Sequence, residues 1–334
     1  MIRLIGVELT RARWRRAVLV LLITMIVAPV GLGVITILDQ QPASADAYAQ
    51  AEAKAAKEAE RPRVKKEIAA CLADPEGYGV GPADDPEVLC EEWYAPQPEW
   101  YLDYNALDLD AARGDAGLAV AVIVALLALL VGTTFIGHDW NTGSMSNQLI
   151  FESRRGRVWA AKAVAVTLVT GVIALVGTSL FWLILAARFW SADAEIPDGA
   201  LLDGLQHGWR GAAVAGFAGL IGFALTMLSR STVFTLGVLF GVAVAGSILI
   251  NLLFDDPGPI DPSINVAAVI NHDWDYYVQT PEYCWDGSEV TEDMQADCSE
   301  ERTRDFGDGV LYLGVLGGAI CAASVLSYRR RDVP

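Results

Sequence analysis

Charged side chains are missing from the six longest apolar stretches of this 334-residue chain, except at the ends of those stretches. Ion- and proton-coupled transporters need titratable or liganding groups within the membrane, so this scarcity argues against a self-energised secondary transporter. The sequence also lacks an HExxH, a GxSxG and a GxxxxGKS/T phosphate-binding loop. We therefore expect no catalytic residue, cofactor or metal site in this chain, and no hydrolysis of ATP by it.

The apolar residues are gathered into blocks rather than spread along the chain. They make up 53% of the sequence, and a helix of about 20 such residues crosses the roughly 30 Å hydrocarbon core of a bilayer. We predict an all-α polytopic membrane protein with six transmembrane helices. The predicted spans are residues 17–38, 116–137, 162–187, 211–228, 232–254 and 309–327.

The charges are divided unevenly between the segments that separate these spans, and the net charge is -17. Residues 1–16, 138–162, 229–231 and 328–334 hold 13 Lys and Arg but 4 Asp and Glu, whereas the rest of the chain holds 11 and 37. Short basic segments stay in the cytoplasm. We therefore expect a multi-pass membrane protein with residues 1–16, 138–161, 229–231 and 328–334 cytoplasmic and residues 39–115, 188–210 and 255–308 extracellular. Its richness in Ala, Gly, Val and Arg favours a bacterium, so the membrane is expected to be a bacterial plasma membrane.

Four of the five cysteines fall in the predicted extracellular segments, where disulfides persist. Cys71 and Cys90 share the first of these segments, and Cys284 and Cys298 share the last. We expect one bond within each segment, although four cysteines allow three connectivities. The two long segments would then form one disulfide-tied extracellular cap.

The N-terminal residues 1–16 combine apolar side chains with five arginines, which is typical of an amphipathic helix at a membrane interface. The apolar run that follows, residues 17–38, is longer than the roughly 7–15 residues of a signal-peptide core. We expect this first span to be retained rather than cleaved.

Small residues recur at helical spacing within the spans, and such residues let membrane helices approach each other closely. They predict close helix packing, and one such face could form the seam of a dimer. The positions are Gly237 with Gly241, Gly314 with Gly318, and Ala215 with Gly219 and Gly222.

Between the second and third spans lies a polar segment, residues 138–161. Asp139 or Thr142 could cap a short helix that carries Met145, Leu149 and Phe151 on one face. A short helix with an apolar face followed by arginines is suited to docking into a groove of a partner protein. The alternative is an ordinary basic loop that only anchors the protein.

This segment resembles the signature region of the membrane permeases of ABC-2 type ABC transporters. That region carries an acidic residue, a glycine followed by Ser or Thr, a leucine, an arginine and a lysine that opens the third span. The N-terminal stretch "VELTRARWRR" also looks like the lead-in of such permeases, with Glu8 in its acidic position. The signature positions are filled in order by Asp139, Gly143, Ser144, Leu149, Arg154 and Lys162.

The resemblance implies a half-transporter, in which two identical or different permease subunits pair and each rests on a separate cytoplasmic ABC ATPase that binds ATP and Mg²⁺. Residues 138–161 would then be the coupling segment, with Arg154 and Arg155 facing acidic partner residues or lipid phosphates. The implied contact set is Asp139, Gly143, Met145, Leu149, Phe151, Arg154 and Arg155.

The leading hypothesis is therefore an exporter subunit for a hydrophobic or amphipathic compound such as a drug, peptide or lipid. The cargo is expected to be apolar because the spans offer mainly apolar and aromatic surface with a few hydroxyls. The alternative is a non-transporting receptor or immunity protein that binds an extracellular ligand through an acidic cap. Nothing in the sequence indicates a nucleic acid as a partner.

Overall fold

In the part of the chain that the structure describes, six helices are long and apolar enough to cross a membrane, which confirms the all-α polytopic fold. They come from a computed structural model that describes residues 1–40, 44–80, 85–102, 107–192, 196–254, 256, 258–278, 280, 284, 298 and 301–330. The six helices are Arg16–Asp39, Arg113–Asn141, Arg155–Ser191, Ala200–Ser229, Thr232–Ile250 and Phe306–Arg330.

The elements follow one another in a simple order along the chain. The helices are α1 (Ile2–Trp14), α2 (Arg16–Asp39), α3 (Ala45–Ala59), α4 (Pro62–Ala73), α5 (Pro86–Tyr94), α6 (Leu118–Asn141), α7 (Ser144–Phe151), α8 (Arg155–Ser191), α9 (Ala200–Ser229), α10 (Thr232–Gly241), α11 (Ser247–Leu253), α12 (Pro262–Asn271) and α13 (Phe306–Arg330). Two strands, β1 (Asp273–Tyr277) and β2 (Glu301–Asp305), form an antiparallel pair that the sequence did not predict. Short π-helical segments precede α6 and link α10 to α11.

Several helices extend beyond the apolar stretches that predicted them. α8 begins at Arg155 rather than at residue 162, and α9 begins at Ala200 rather than at residue 211. Helical hydrogen bonds continue through polar residues, so the end of an apolar stretch does not end the helix. As a consequence Asp139, Lys162 and His207 lie within long helices, and all three are buried.

The chain divides into two compact units. One comprises Met1–Val34, Leu109–Ile184 and Gly199–Pro334, and the other comprises Ile35–Asp108 and Leu185–Asp198. The two long segments that were expected to share one extracellular cap fall in different units, and their association stays a prediction.

The core of the first unit lies between α6 and α9, where glycines bring two backbones together. A Cβ added at Gly132 would lie 2.1 Å from the carbonyl oxygen of Gly219, and one added at Gly222 would lie 2.3 Å from that of Leu129. Ala215 is fully buried in the same helix α9. Close packing at Ala215, Gly219 and Gly222 therefore occurs as predicted.

The other small-residue pairs do not pack closely within the chain. Added Cβ atoms would meet nothing within 4 Å at these positions, because the helices α10 and α13 that carry them are mostly exposed. The expectation of close packing is therefore wrong within the chain for Gly237, Gly241, Gly314 and Gly318.

The second unit contains α3, α4 and α5. A disulfide joins Cys71 of α4 to Cys90 of α5, and both cysteines are buried with Val80 in a small core. The Tyr48 hydroxyl donates to the Glu99 carboxylate at 3.0 Å, and this hydrogen bond raises the pKa of Tyr48. In the first unit Cys284 is bonded to Cys298, so both disulfides join cysteines of the same segment, as expected.

Candidate functional site at the basic end

The short helix α7 is present in the polar segment, but it begins differently from the prediction. It starts at Ser144 after Gly143, whose backbone is left-handed with φ of 66°. Glycine adopts that conformation at little cost. Neither Asp139 nor Thr142 caps the helix, because Asp139 lies inside α6 and the Thr142 hydroxyl donates to the His138 carbonyl at 2.8 Å.

The two faces of α7 have different surroundings. Met145 and Gln148 are buried against the rest of the first unit, and Leu149 is half-buried. At the end of the helix Ile150 is 77% exposed and Phe151 is 90% exposed. The predicted apolar face is therefore divided: Met145 anchors the helix, and Phe151 with its neighbour Ile150 projects outward.

Asp139, which was predicted to contact a partner, instead belongs to a buried ionic network. Lys162 Nζ donates to Asp139 Oδ2 at 2.6 Å and to Glu8 Oε2 at 2.8 Å. All three side chains have no exposed surface. Buried charges are costly unless they are paired and hydrogen-bonded, so these three groups depend on one another.

Further polar groups complete this network, which we call the buried network. Arg15 donates to Asp139 Oδ1 and to the Phe135 carbonyl, and its guanidinium lies 4.7 Å from the centre of the Phe135 ring. On the other side, Gln148 Nε2 donates to Glu8 Oε1 at 2.8 Å. Arg11 Nη1 lies 3.3 Å from both Glu8 Oε1 and Gln148 Oε1.

The buried network connects four helices at one end of the first unit. Glu8 comes from α1, Asp139 from α6, Gln148 from α7 and Lys162 from α8. We call this end, formed by residues 1–16, 138–162, 229–231 and 328–330, the basic end. A displacement of α7 would act through Gln148 and Glu8 on Lys162, which lies in a long spanning helix.

The sequence did not predict this pairing. Lys162 was assigned to an interfacial position, and neither Arg15 nor Gln148 was considered. Glu8, a single carboxylate among five arginines, was the available signal, because an isolated acid on an amphipathic helix needs a partner when that face is buried.

The two remaining predicted contact residues lie just before and at the start of α8. Arg154 is exposed. Arg155 is half-buried, and its Nη1 donates to the Tyr328 carbonyl near the end of α13 at 3.3 Å. Gly143 is exposed at the other end of α7.

His207 falls within residues 188–210, the second predicted extracellular segment. It lies in α9 with 1% of its surface exposed, and its Nε2 is 3.1 Å from Asn271 Oδ1. Its ring packs edge-on against Trp182 with the centroids 5.7 Å apart. Among the described residues no group of three or more His, Cys, Asp or Glu side chains could hold a metal ion.

A family model described as ABC-2 family transporter protein matches residues 4–254. The chain belongs to this family. Neither the curated proteins nor the solved structures contain a match. Every residue of the buried network lies within the matched range, whereas α12, the two strands and α13 lie outside it. Membership identifies the chain as a transporter permease subunit, and the family implies that it works with ABC ATPase subunits.

Proposed function

We propose that this chain is the permease subunit of an ATP-driven exporter, which moves a hydrophobic or amphipathic compound across a bacterial plasma membrane. Energy would come from a separate ATPase subunit that binds ATP and Mg²⁺. The observation that carries the proposal is the two-sided environment of α7. One face bonds to the spanning helices through the buried network, and the end of the helix presents exposed apolar side chains.

The exposed end of α7 is the proposed ATPase contact. Phe151 and Ile150 lie side by side outside the spanning helices, and adjacent exposed apolar side chains of this size favour a protein partner. A short helix with such residues docks into an apolar groove. Asp139 and Met145 are buried, so their proposed role is to hold α7 in position rather than to touch the partner.

The proposed orientation places the basic end in the cytoplasm, because short segments rich in Lys and Arg are retained there. Both termini would then be cytoplasmic, on the side where ATP is hydrolysed. Closure of the ATPase would move α7, and the buried network would transmit this movement to α1, α6 and α8. Two permease subunits would enclose the route, as a two-state rearrangement between inward and outward openings requires.

The cargo is proposed to be largely apolar. The spanning helices present many exposed apolar side chains, for example Leu168 and Val172 of α8. In those helices the hydroxyls of Thr167 and Thr170 donate to carbonyls of their own helix. A strongly polar cargo would find few free partners on such a surface.

The docking proposal is tested by co-purification of the chain with an ABC ATPase encoded beside it. We expect Phe151→Asp to reduce the retained ATPase by at least about tenfold, since it places a charge in an apolar contact. Asn147→Asp adds the same charge to an exposed position of the same helix and serves as the control.

Equal retention by the two variants would contradict docking through the end of α7. A wild-type chain that neither retains nor stimulates the ATPase would contradict the exporter proposal itself. That result would favour the receptor or immunity protein.

A further inference from the structure

A second feature of the basic end is an open cleft whose six lining residues include four arginines. Its volume is about 540 Å³, and we call it the arginine cleft. It lies where the first turn of α8 meets the last turn of α13. The lining residues are Ser153, Arg154, Arg155, Gly156, Arg157 and Arg329.

Hydrogen bonds join the two helix ends that form the cleft. Arg155 Nη1 donates to the Tyr328 carbonyl, which links the start of α8 to the end of α13. One turn deeper, Trp159 Nε1 donates to Ser324 Oγ at 3.1 Å, and Ser324 is fully buried. These two bonds hold the end of α13, which carries Arg329, beside the three arginines at the start of α8.

The described residues that line the cleft carry positive charge and include no carboxylate. In the part of the chain that the structure describes, none of Arg154, Arg157 and Arg329 forms an ion pair, and all three are exposed. The nearest carboxylate in sequence, Glu152, accepts the backbone N–H of Arg154 at 3.1 Å. Like charges held close together need an anion to offset their repulsion.

We propose that the arginine cleft binds the phosphate group of an anionic phospholipid. Arg155 and Arg329 belong to the terminal turns of two spanning helices, so the cleft opens where a membrane-spanning helix leaves the hydrocarbon core. Guanidinium groups bind phosphate oxygens in pairs with favourable geometry. Basic pockets between spanning helices are suited to lipid head groups.

This assignment separates the arginines from the ATPase contact. The proposed protein contact is the apolar end of α7, whereas the described residues that line the cleft include no apolar side chain. Arg329 also lies outside the part of the chain that the family model matches, so the cleft draws on a helix beyond the matched region. The inference does not depend on export or on its direction.

The test uses the full chain in nanodiscs of phosphatidylcholine with spin-labelled phosphatidylglycerol or spin-labelled phosphatidylcholine. The association ratio of the two labelled lipids gives the preference for the anionic head group. A hydrogen bond between a guanidinium group and a phosphate strengthens binding by a factor of about ten or more. The triple variant Arg154→Gln, Arg157→Gln, Arg329→Gln removes such donors from the cleft and should therefore lower this ratio by at least about tenfold.

The control carries the same change of charge at the same end of the molecule: Arg13→Gln, Arg16→Gln, Arg330→Gln. These three arginines are exposed and do not line the cleft. A loss confined to the cleft variant supports the proposal. Equal losses in both variants would show only diffuse attraction and would overturn it.

Two further outcomes would also overturn the proposal. Displacement of the labelled lipid by millimolar inorganic phosphate would make the cleft a site for soluble phosphate. Loss of a bound ATPase from the cleft variant, with an unchanged lipid ratio, would make the cleft a protein contact.

Discussion

Arginine occupies two contrasting settings at the basic end. Arg15 has 11% of its side chain exposed, donates to the buried Asp139 carboxylate and lies over the Phe135 ring. Arg157 is exposed in the arginine cleft and forms no ion pair among the described residues. The two residues are equal in charge and lie at the same end of the molecule.

The difference between them is the position of the counter-charge. A buried carboxylate makes Arg15 part of the structure, because removal of Arg15 leaves Lys162 to offset both Glu8 and Asp139 in a medium of low dielectric constant. Arg157 has no counter-charge among the residues that the structure describes, so it can offer its charge to a ligand. Changes in the buried network should therefore affect stability, and changes in the cleft should affect binding.

The largest effect is expected for Lys162→Met. It removes the ammonium that two unexposed carboxylates share, and breaking such a buried pair costs about 3–5 kcal/mol. Thermal unfolding of the purified chain in detergent measures this loss. Leu168→Met, a change on an exposed face of the same helix, should leave the midpoint unchanged. A midpoint for Lys162→Met close to that of the wild type would show that the network adds no stability.

A smaller loss of stability is expected when a closely packed glycine is replaced than when Lys162 is replaced. Gly132→Ala forces a Cβ against the Gly219 backbone and should destabilise the packing of α6 on α9 by about 1–3 kcal/mol. Gly237→Ala adds the same methyl group in open space and should have no such cost in the isolated chain. The midpoints of thermal unfolding of the two variants measure this difference in stability. Equal midpoints would contradict the close approach of the two backbones at Gly132.

The smallest change in stability is expected from substitutions of the two adjacent tyrosines of β1. Burial and a 2.9 Å hydrogen bond to Asp256 raise the pKa of Tyr276 to about 12, whereas Tyr277 is 75% exposed. The neutral phenol of Tyr276 is favoured in the folded state. Its contribution to the free energy of unfolding is therefore complete below pH 10 and is lost as the pH rises through about 12.

Tyr276→Phe should therefore cost about 1 kcal/mol at neutral pH and flatten the decline in stability above pH 10. Tyr277→Phe is the control and should change neither quantity. The free energy of unfolding, measured from neutral pH to above pH 10, tests both variants. If stability declines with pH as steeply in Tyr276→Phe as in the wild type, Tyr276 is not the source of that decline.

The sequence predicted the spanning helices well, because hydrophobic length is a property of a continuous stretch. It also placed the short helix between the second and third spans. It did not predict which way Asp139 points, since α6 continues past Gly137 and rotates that carboxylate toward Lys162. Pairing across four helices depends on tertiary contacts that periodicity does not reveal.

The same limit applies to the small residues and to the arginines. Gly219 and Gly237 are both typical of close helix contacts, yet only the packing partner distinguishes them. Arg15 and Arg157 are likewise equivalent in a count of basic residues. Which residues form the candidate site depends on the tertiary contacts of each side chain, and residue type alone does not reveal those contacts.

Thermal unfolding of Arg15→Gln beside Arg157→Gln tests the central contrast most directly. The substitution is identical and both residues lie at the basic end, so the two variants differ in the buried contacts that each loses. We expect Arg15→Gln to lose about 3 kcal/mol and Arg157→Gln to unfold like the wild type. Equal midpoints for the two variants would contradict the division of the basic end into a structural network and a binding cleft.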